Sequence, residues 1–319
     1  MGEHFLFSLN ATMPIFLMIL LGGVLKKIGI INDEFVKVAN RYVFRVALPV
    51  MLFKEIAFSD LMQDVTAKFI LYCMIVTVLM FLGLWLIAAL FIKDKHSVGA
   101  FAQAGARSSA AILGVAFVEN ICGSAGMAPL MIVSAVPLFN ILSVIILTFS
   151  AAGEEKQKES FGKVVLKSLK GIVTNPIIIG IFVGMIFAAL PVTMPVIGQK
   201  FIGLTAQTAT PVALIAIGGG FEWKAAKSKL GLSAVAAVIK LMILPAVFLP
   251  FAYLLGFAPS EMVAVLIMLA SPTTVSCYVM ARSMGNDEVL TSNVIVLTTM
   301  FSSVTLTIWI WLLRSAGLI

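Results

Sequence analysis

The chain has 319 residues, of which 61% are hydrophobic and only 12% are charged. Soluble domains carry about 25% charged residues, so this composition argues against a soluble protein and indicates several membrane-spanning helices. The net charge of +7 comes largely from Lys and Arg in short loops between apolar runs. It is therefore a signal of membrane topology, and no nucleic-acid partner is predicted.

Apolar runs long enough to span a membrane recur along the whole chain and predict ten helices, numbered here as spans one to ten. Span two is the least regular, because Arg41, Arg45 and Pro49 interrupt it. The spans are predicted at residues 5–25, 36–57, 69–92, 98–118, 126–150, 171–190, 196–220, 230–256, 260–281 and 289–313.

Lys and Arg residues are distributed unequally between the two sides of the predicted membrane. Fourteen lie in the loops after odd-numbered spans, and four lie on the opposite side. The positive-inside rule therefore predicts a multi-pass protein of the cytoplasmic membrane with both termini extracytoplasmic.

The two halves of the chain are related by a constant offset. Ala47-Leu48-Pro49-Val50 matches Ala209-Thr210-Pro211-Val212 at an offset of 162 residues, and Gly22 matches Gly184 at the same offset. Five spans are an odd number, so the second copy would enter the membrane inverted, as in many secondary transporters. The predicted units are a first repeat at residues 1–150, a cytoplasmic linker at 151–170 and a second repeat at 171–319.

Span nine is interrupted by a proline and several hydroxyl side chains. Pro272 lacks a backbone N–H and clashes with the preceding helical turn, so it is predicted to break the helix. The hydroxyls of Thr273, Thr274 and Ser276 can satisfy the freed backbone groups or a ligand. One interpretation is a kink packed against small residues. The other is a binding site, because inverted-repeat carriers bind substrates where helices break near the membrane midplane.

The matching place in span four holds Arg107-Ser108-Ser109, and Ser108 is predicted to contribute to a break there without a proline. Arg107 lies roughly 13 Å into its span and Lys240 roughly 15 Å into span eight, near the midplane. Buried cations are costly, and no Asp or Glu lies in the middle of a predicted span, so these cations predict an anionic ligand. Two alternatives remain: Arg107 can extend to the cytoplasmic surface, and Lys240 can pair with backbone carbonyls of the broken helices.

The coupling ion is left open between a proton, sodium and none. Proton relays usually use Asp, Glu or His, and His4 and His96 lie at the ends of spans. A sodium site formed by hydroxyls and carbonyls around Thr273 and Ser109 stays possible. The sequence has no metal-ligand spacing, nucleophilic constellation or phosphate-binding loop, so it predicts no metal site, no cofactor and no enzyme activity.

These segments resemble the auxin efflux carrier family, which includes plant auxin exporters and bacterial malate or malonate permeases. The resemblance covers the whole chain and rests on Ala47-Leu48-Pro49, Arg107 to Gly114, Lys240 before Pro245, and Ala270 to Arg282. It implies an all-α membrane protein with ten helices in a 5+5 inverted repeat and broken, crossing fourth and ninth helices. This fold is similar to bile-acid sodium symporters and sodium/proton antiporters.

The resemblance also implies how the spans are used. Spans one, two, six and seven would form a scaffold that makes a homodimer, and spans three to five and eight to ten would form an elevator-type transport unit. One departure is that many members have Asn, often after Pro, where this chain has Ser108-Ser109. Because a Ser offers one donor and an Asn amide offers two, Arg107 is expected to contribute more of the binding.

The sequence thus predicts a secondary carrier for a small organic anion, a di- or monocarboxylate such as malate, malonate or an auxin-like acid. The alternatives are a sodium-coupled bile-acid-type symporter and an anion channel or membrane sensor. The residues predicted to contact the substrate are Leu48, Pro49, Val50, Arg107, Ser108, Ser109, Lys240, Thr273, Thr274 and Ser276.

Overall fold

The computed structural model describes residues 2–58, 67–110, 118, 127–151, 170, 173–190, 194–221 and 223–319, and every regular element among them is helical. Two predicted features, most of the linker (152–169) and the second half of span four (111–117), lie outside the described residues. The first half contains α1 (Gly2–Lys27), α2 (Asp33–Tyr42), α3 (Leu48–Ala57), α4 (Ala67–Phe91), α5 (Lys95–Ala106) and α6 (Ala128–Ala151). The second half contains α7 (Pro176–Ala189), α8 (Val196–Gln207), α9 (Ala209–Gly220), α10 (Trp223–Val238), α11 (Leu244–Leu254), α12 (Pro259–Ala270), α13 (Ser276–Ser283) and α14 (Glu288–Ser315).

Within the described residues, five helical stretches are long and apolar enough to cross a membrane. They overlap predicted spans three, five, seven, eight and ten. Two shorter apolar helices, α7 and α12, fall within spans six and nine. The prediction of an all-α membrane protein is confirmed to this extent, while the count of ten spans and the inverted repeat stay predictions. The five stretches are Ala67–Phe91, Ala128–Ala151, Val196–Gly220, Ala226–Leu254 and Glu288–Ser315.

The distribution of side chains is the one expected of a protein surrounded by lipid. On α4, Leu86 and Leu90 are 63% and 71% exposed. Polar groups such as Thr77, Gln103 and Ser302 are completely buried instead. Large exposed apolar faces are rare on soluble monomers, so the outer face of α4 fits contact with acyl chains.

Two π-helical turns explain how prolines are accommodated in the long helices. The turns Val43–Ala47 and Ile239–Ile243 lie directly before α3 and α11, and Pro49 and Pro245 occupy the second positions of those helices. A proline ring clashes with the carbonyl four residues earlier, and a π-turn widens the helix at that point. The predicted interruption of span two is therefore a π-turn through which the helix continues.

Glycines bring α1 against α9 and α7 against α3. A Cβ atom on Gly22 of α1 would overlap the carbonyl of Ile215, and one on Gly218 of α9 would overlap a carbonyl of α1. A Cβ atom on Gly180 of α7 would lie 2.6 Å from the carbonyl oxygen of Pro49. These two helix pairs are therefore in backbone-to-backbone contact, the kind of packing that small residues permit between membrane helices.

A polar cluster at the helix ends links three helices. The side chain of Asp94 caps α5, and that of Asp287 caps α14 by accepting from the Leu290 amide at 2.9 Å. Lys229 of α10 forms salt bridges of 3.1 Å to Asp94 and 2.8 Å to Asp287. We call Asp94, Ser97, Lys229 and Asp287 the loop cluster.

Candidate functional site

Two helix interruptions meet inside the protein. Helix α5 ends at Ala106 and is followed by three non-helical residues, 107–109, while α12 ends at Ala270 and α13 begins only at Ser276. The Ser109 amide donates a 2.9 Å hydrogen bond to the Pro272 carbonyl, which joins the two interruptions directly. We call residues 107–109, residues 271–275 and the side chain of Lys240 the crossing.

The two interruptions have different local causes. Ser271 adopts an extended backbone (φ −68°, ψ 153°), because the residue before a proline is driven out of the helical region and Pro272 cannot donate to the helix. Arg107 is also extended (φ −81°, ψ 134°), although no proline follows it. The end of α5 is stabilised by side chains that bind its last carbonyl groups.

Lys240 binds the carbonyl ends of both interrupted helices, which lack partners within their own helices. Its Nζ atom donates to the Ala106 carbonyl of α5 at 3.2 Å and to the Leu269 carbonyl of α12 at 2.6 Å. It also donates to Ser108 Oγ, which in turn donates to the Met268 carbonyl.

These contacts explain how a buried cation is stabilised without a carboxylate. Lys240 is 0% exposed, and its three acceptors match the three N–H donors of an ammonium group. Each helix C-terminus also carries about half a negative charge. Lys240 therefore pairs with carbonyls of the broken helices, the alternative that the sequence left open. Its contact with a substrate stays a prediction.

Two further polar side chains hold the crossing together. Thr273 Oγ1 donates to the Ala104 carbonyl at 2.7 Å, and the Thr273 amide donates to Thr298 Oγ1 at 3.0 Å. Gln103 Nε2 donates to the Cys277 carbonyl at 3.0 Å. The polar groups of Thr273 thus act between helices.

Arg107 has a different environment. It is only 4% exposed, so it does not extend to the surface. One guanidinium nitrogen, Nη1, donates to Met280 Sδ at 2.8 Å, and the other, Nη2, donates to Asn140 Oδ1. Asn140 is oriented by its own 2.8 Å bond to the Val136 carbonyl. Among the described residues no carboxylate forms a salt bridge with Arg107, so its charge is solvated by neutral groups.

Arg107 lines a small cavity on one side of the crossing. The free volume of the cavity is about 20 Å³, room for about one water molecule. A dicarboxylate therefore requires the cavity to widen. The lining residues are Met51, Leu52 and Glu55 of α3, Val136, Phe139 and Asn140 of α6, and five predicted site residues, namely Arg107, Ser108, Ser109, Thr274 and Ser276.

The polar groups of this cavity suit an anion. The guanidinium of Arg107 presents N–H donors in a planar fork that matches a carboxylate. Thr274 and Ser276 add hydroxyl groups, and Ser276 is also the first residue of α13, where the helix dipole is positive. Leu52 and Phe139 supply an apolar wall.

The remaining predicted residues lie beside or away from this cavity. Leu48 borders a second small cavity, about 10 Å³, that shares Thr274 and Ser276 with the first. Pro49 packs through its backbone against α7, and Val50 is partly buried. Neither Lys240 nor Thr273 is among the described residues that line either cavity.

Sequence reasoning missed Glu55 and Asn140 as cavity residues. Glu55 lies near the end of predicted span two, and the sequence predicts no contact with substrate for it or for Asn140. Leu48, Leu52 and Glu55 lie on one face of α3 by helical spacing. Because Leu48 is predicted to contact the substrate, the same face predicts that Glu55 lies near the site. Asn140 carries a detectable signal as a carboxamide in the middle of predicted span five.

Comparison with known proteins gives matches over nearly the whole chain. A family model described as "Membrane transport protein" matches residues 7–310. A protein of Rhizobium meliloti (strain 1021) described as "Putative malonate transporter" is 27% identical over 310 residues, covering 96% of each chain. An "Uncharacterized transporter" of Methanothermobacter thermautotrophicus (strain Delta H) is 22% identical over 307 residues, covering 96% of this chain and 98% of the relative.

Proposed function

Because the chain belongs to the auxin efflux carrier family of membrane transport proteins, as its resemblance indicated, we propose that it is a secondary carrier of a small organic anion. The similarity to a protein described as a malonate transporter makes a short dicarboxylate the first substrate to test, with monocarboxylates second. The proposed location is the cytoplasmic membrane, with both termini outside.

The environment of Arg107 is the observation on which this proposal rests. A buried guanidinium with neutral hydrogen-bond acceptors and no described salt bridge has an incompletely balanced charge, which is unfavourable unless an anion can approach it. The cavity beside Arg107 offers hydroxyl donors and the positive end of α13 to the same anion. We therefore infer that the substrate carboxylate binds between Arg107, Thr274 and Ser276.

Several features support the proposed inverted repeat of five and five spans. Helices α5 and α12 are both 12 residues long and both end at the crossing. The glycines related by the offset of 162 have equivalent partners, since Gly22 of α1 approaches α9 and Gly184 of α7 approaches α3. The proposed scaffold of spans one, two, six and seven contains both close pairs. An elevator-type movement of the other spans, and a homodimer formed by the scaffold, complete the proposal.

The surroundings of Lys240 favour a carrier that does not depend on sodium. A sodium ion between two interrupted helices would require carbonyl and hydroxyl oxygens. At the crossing, the Lys240 ammonium already binds Ala106 O, Leu269 O and Ser108 Oγ. This supports the organic-anion carrier over the sodium-coupled bile-acid-type symporter.

Uptake of radiolabelled malonate into proteoliposomes containing the full-length protein tests this proposal. We expect saturable uptake and accelerated counterflow with internal malonate, without a requirement for sodium. Arg107→Gln should abolish uptake, whereas the matched control Arg45→Gln, at an exposed arginine, should not. A steady conductance without counterflow would identify a channel, and normal uptake by Arg107→Gln would exclude the proposed site.

A further inference from the structure

Glu55 is a carboxylic acid inside the candidate site that anion binding alone does not require. It lies on α3, one turn beyond Met51 and next to Leu52 on the cavity face. Its Oε2 atom is buried and has no hydrogen-bond partner among the described residues. A buried carboxylate oxygen without a hydrogen-bond partner is energetically unfavourable, and taking up a proton removes part of this cost.

Arg107 is the principal charge that faces Glu55. The two side chains line the same cavity and interact electrostatically, but they form no salt bridge. Lys54, the neighbour of Glu55 on α3, adds a second positive charge.

The elements packed against α3 bring few other charges. Helices α6 and α7 contain no titratable residue. The π-turn before α3 contributes Arg45, and α8 contributes Lys200, but both side chains are exposed. Among the described residues, Glu55 and Arg107 are therefore the charged side chains that line the cavity, and the Lys240 ammonium lies behind Ser108, to which it donates.

This arrangement creates a competition when a substrate arrives. In the empty site, an ionised Glu55 would partly balance the charge of Arg107. A substrate carboxylate beside Arg107 would place two carboxylates and one guanidinium in the same cavity, even after the cavity widens to admit the substrate. Two carboxylates that share one site repel each other, and this repulsion favours uptake of a proton by one of them.

We propose that Glu55 competes with the substrate for the positive charge of Arg107. Glu55 takes up one proton when the anion binds and releases it when the anion leaves. This inference rests on the proposed function. The proton comes from the water on the side to which the cavity opens and adds to a carboxylate oxygen of Glu55. It returns to that water on release, so no bond of the substrate changes. Binding of the anion is thereby favoured at low pH.

The test is the malonate dissociation constant of the purified full-length protein, measured by calorimetry between pH 6 and pH 8.5. One linked proton weakens binding by about tenfold per pH unit on the alkaline side. Glu55→Gln should bind malonate as tightly at pH 8.5 as wild type does at low pH, with this dependence removed. Titration of malonate itself is common to both proteins and cancels in the comparison.

Two further variants complete the test. Glu55→Asp should retain the pH dependence, and Glu34→Gln, at an exposed glutamate, should behave as wild type. If Glu55→Gln binds malonate with the unchanged pH dependence of wild type, or if wild type shows none beyond that of malonate, Glu55 is not the competitor and the carrier proposal stands. If neither wild type nor any variant binds malonate at any pH, the dicarboxylate form of the proposed function and this inference both fail.

Discussion

Lys240 and Arg107 are both buried cations at the crossing, but they are stabilised in different ways. Lys240 has an acceptor for every N–H, and two of these acceptors are carbonyls at helix ends. Arg107 has a thioether and a carboxamide as described acceptors, and it lines a cavity that also contains Glu55. This difference supports the proposal that Lys240 has a structural role and that Arg107 is available to a ligand, although both cations lie at the crossing.

Replacing Lys240 should have the largest effect on stability. Lys240→Met leaves the carbonyls of Ala106 and Leu269 buried without this donor, at a cost of about 1–3 kcal/mol for each group. We therefore expect a loss of at least about 2 kcal/mol, seen as poor insertion or a strongly lowered Tm in detergent. A variant as stable as wild type would contradict the assignment of Lys240 to structure.

Replacing Arg107 should weaken substrate binding strongly and change stability little, the reverse of the expectation for Lys240. Arg107→Gln removes a charge with no described salt bridge, so the Tm should change little or rise. The affinity for malonate should fall by about 30-fold or more, since loss of a buried charged partner costs about 2 kcal/mol or more. Calorimetry at low pH measures the affinity. A large loss of stability with unchanged affinity would show that Arg107 has a structural role and does not bind the substrate.

Two neighbouring threonines at the crossing are expected to differ in the same way, one affecting stability and the other substrate binding. Thr273→Val removes the bond to the Ala104 carbonyl, so we expect a stability loss of about 1–2 kcal/mol. Thr274 bonds only weakly, at 3.4 Å, to Ser276 among the described contacts and lines both cavities. Thr274→Val should therefore leave the Tm near that of wild type and weaken malonate binding. Similar Tm values for the two variants would contradict this division.

The loop cluster provides the smallest effect and a contrast in pH dependence. Burial opposes ionisation of Asp287, but the Leu290 amide, Lys229 and Ser97 together hold its pKa below the usual 3.8. Its stabilising contribution is therefore complete above about pH 5 and is lost as the pH falls below 3.8 towards the lowered pKa. We expect about 1 kcal/mol or less, since its Lys229 partner is partly exposed.

Thermal unfolding of wild type and Asp287→Asn between pH 6 and pH 3.5 measures this contribution. The variant should lose less stability than wild type on acidification. An identical dependence in both proteins would show that Asp287 contributes nothing. The carbonyls that bind Lys240 do not titrate, so the contribution of Lys240 should persist over the same range.

The sequence was sufficient to predict features that depend on local chemistry. Pro272 marks the end of α12, because proline acts on the turn that precedes it. Arg107 is buried, as expected for a residue well inside its span, whereas its depth in the membrane stays a prediction. The family resemblance, confirmed over residues 7–310, required only the order of such segments.

Features that depend on which helices meet could not be predicted in this way. The partners of Lys240 are 29 to 134 residues away in the chain. The position of Glu55 depends on the packing of α3 against the crossing, which its distance from the end of span two does not reveal. Thr273 and Thr274 are adjacent in sequence, yet one bonds to α5 and the other lines the cavities.

The ammonium group of Lys240 has a consequence for the response to membrane voltage. If the crossing moves with the proposed transport unit, Lys240 and Arg107 carry two positive charges across the membrane. Glu55 is on α3 of the proposed scaffold and does not move with them. Moving one elementary charge through 100 mV corresponds to about 2.3 kcal/mol. A bound dianion would neutralise both charges, so movement of the loaded transport unit would not depend on the membrane potential. A bound monoanion would leave one net positive charge, so the movement would depend on it.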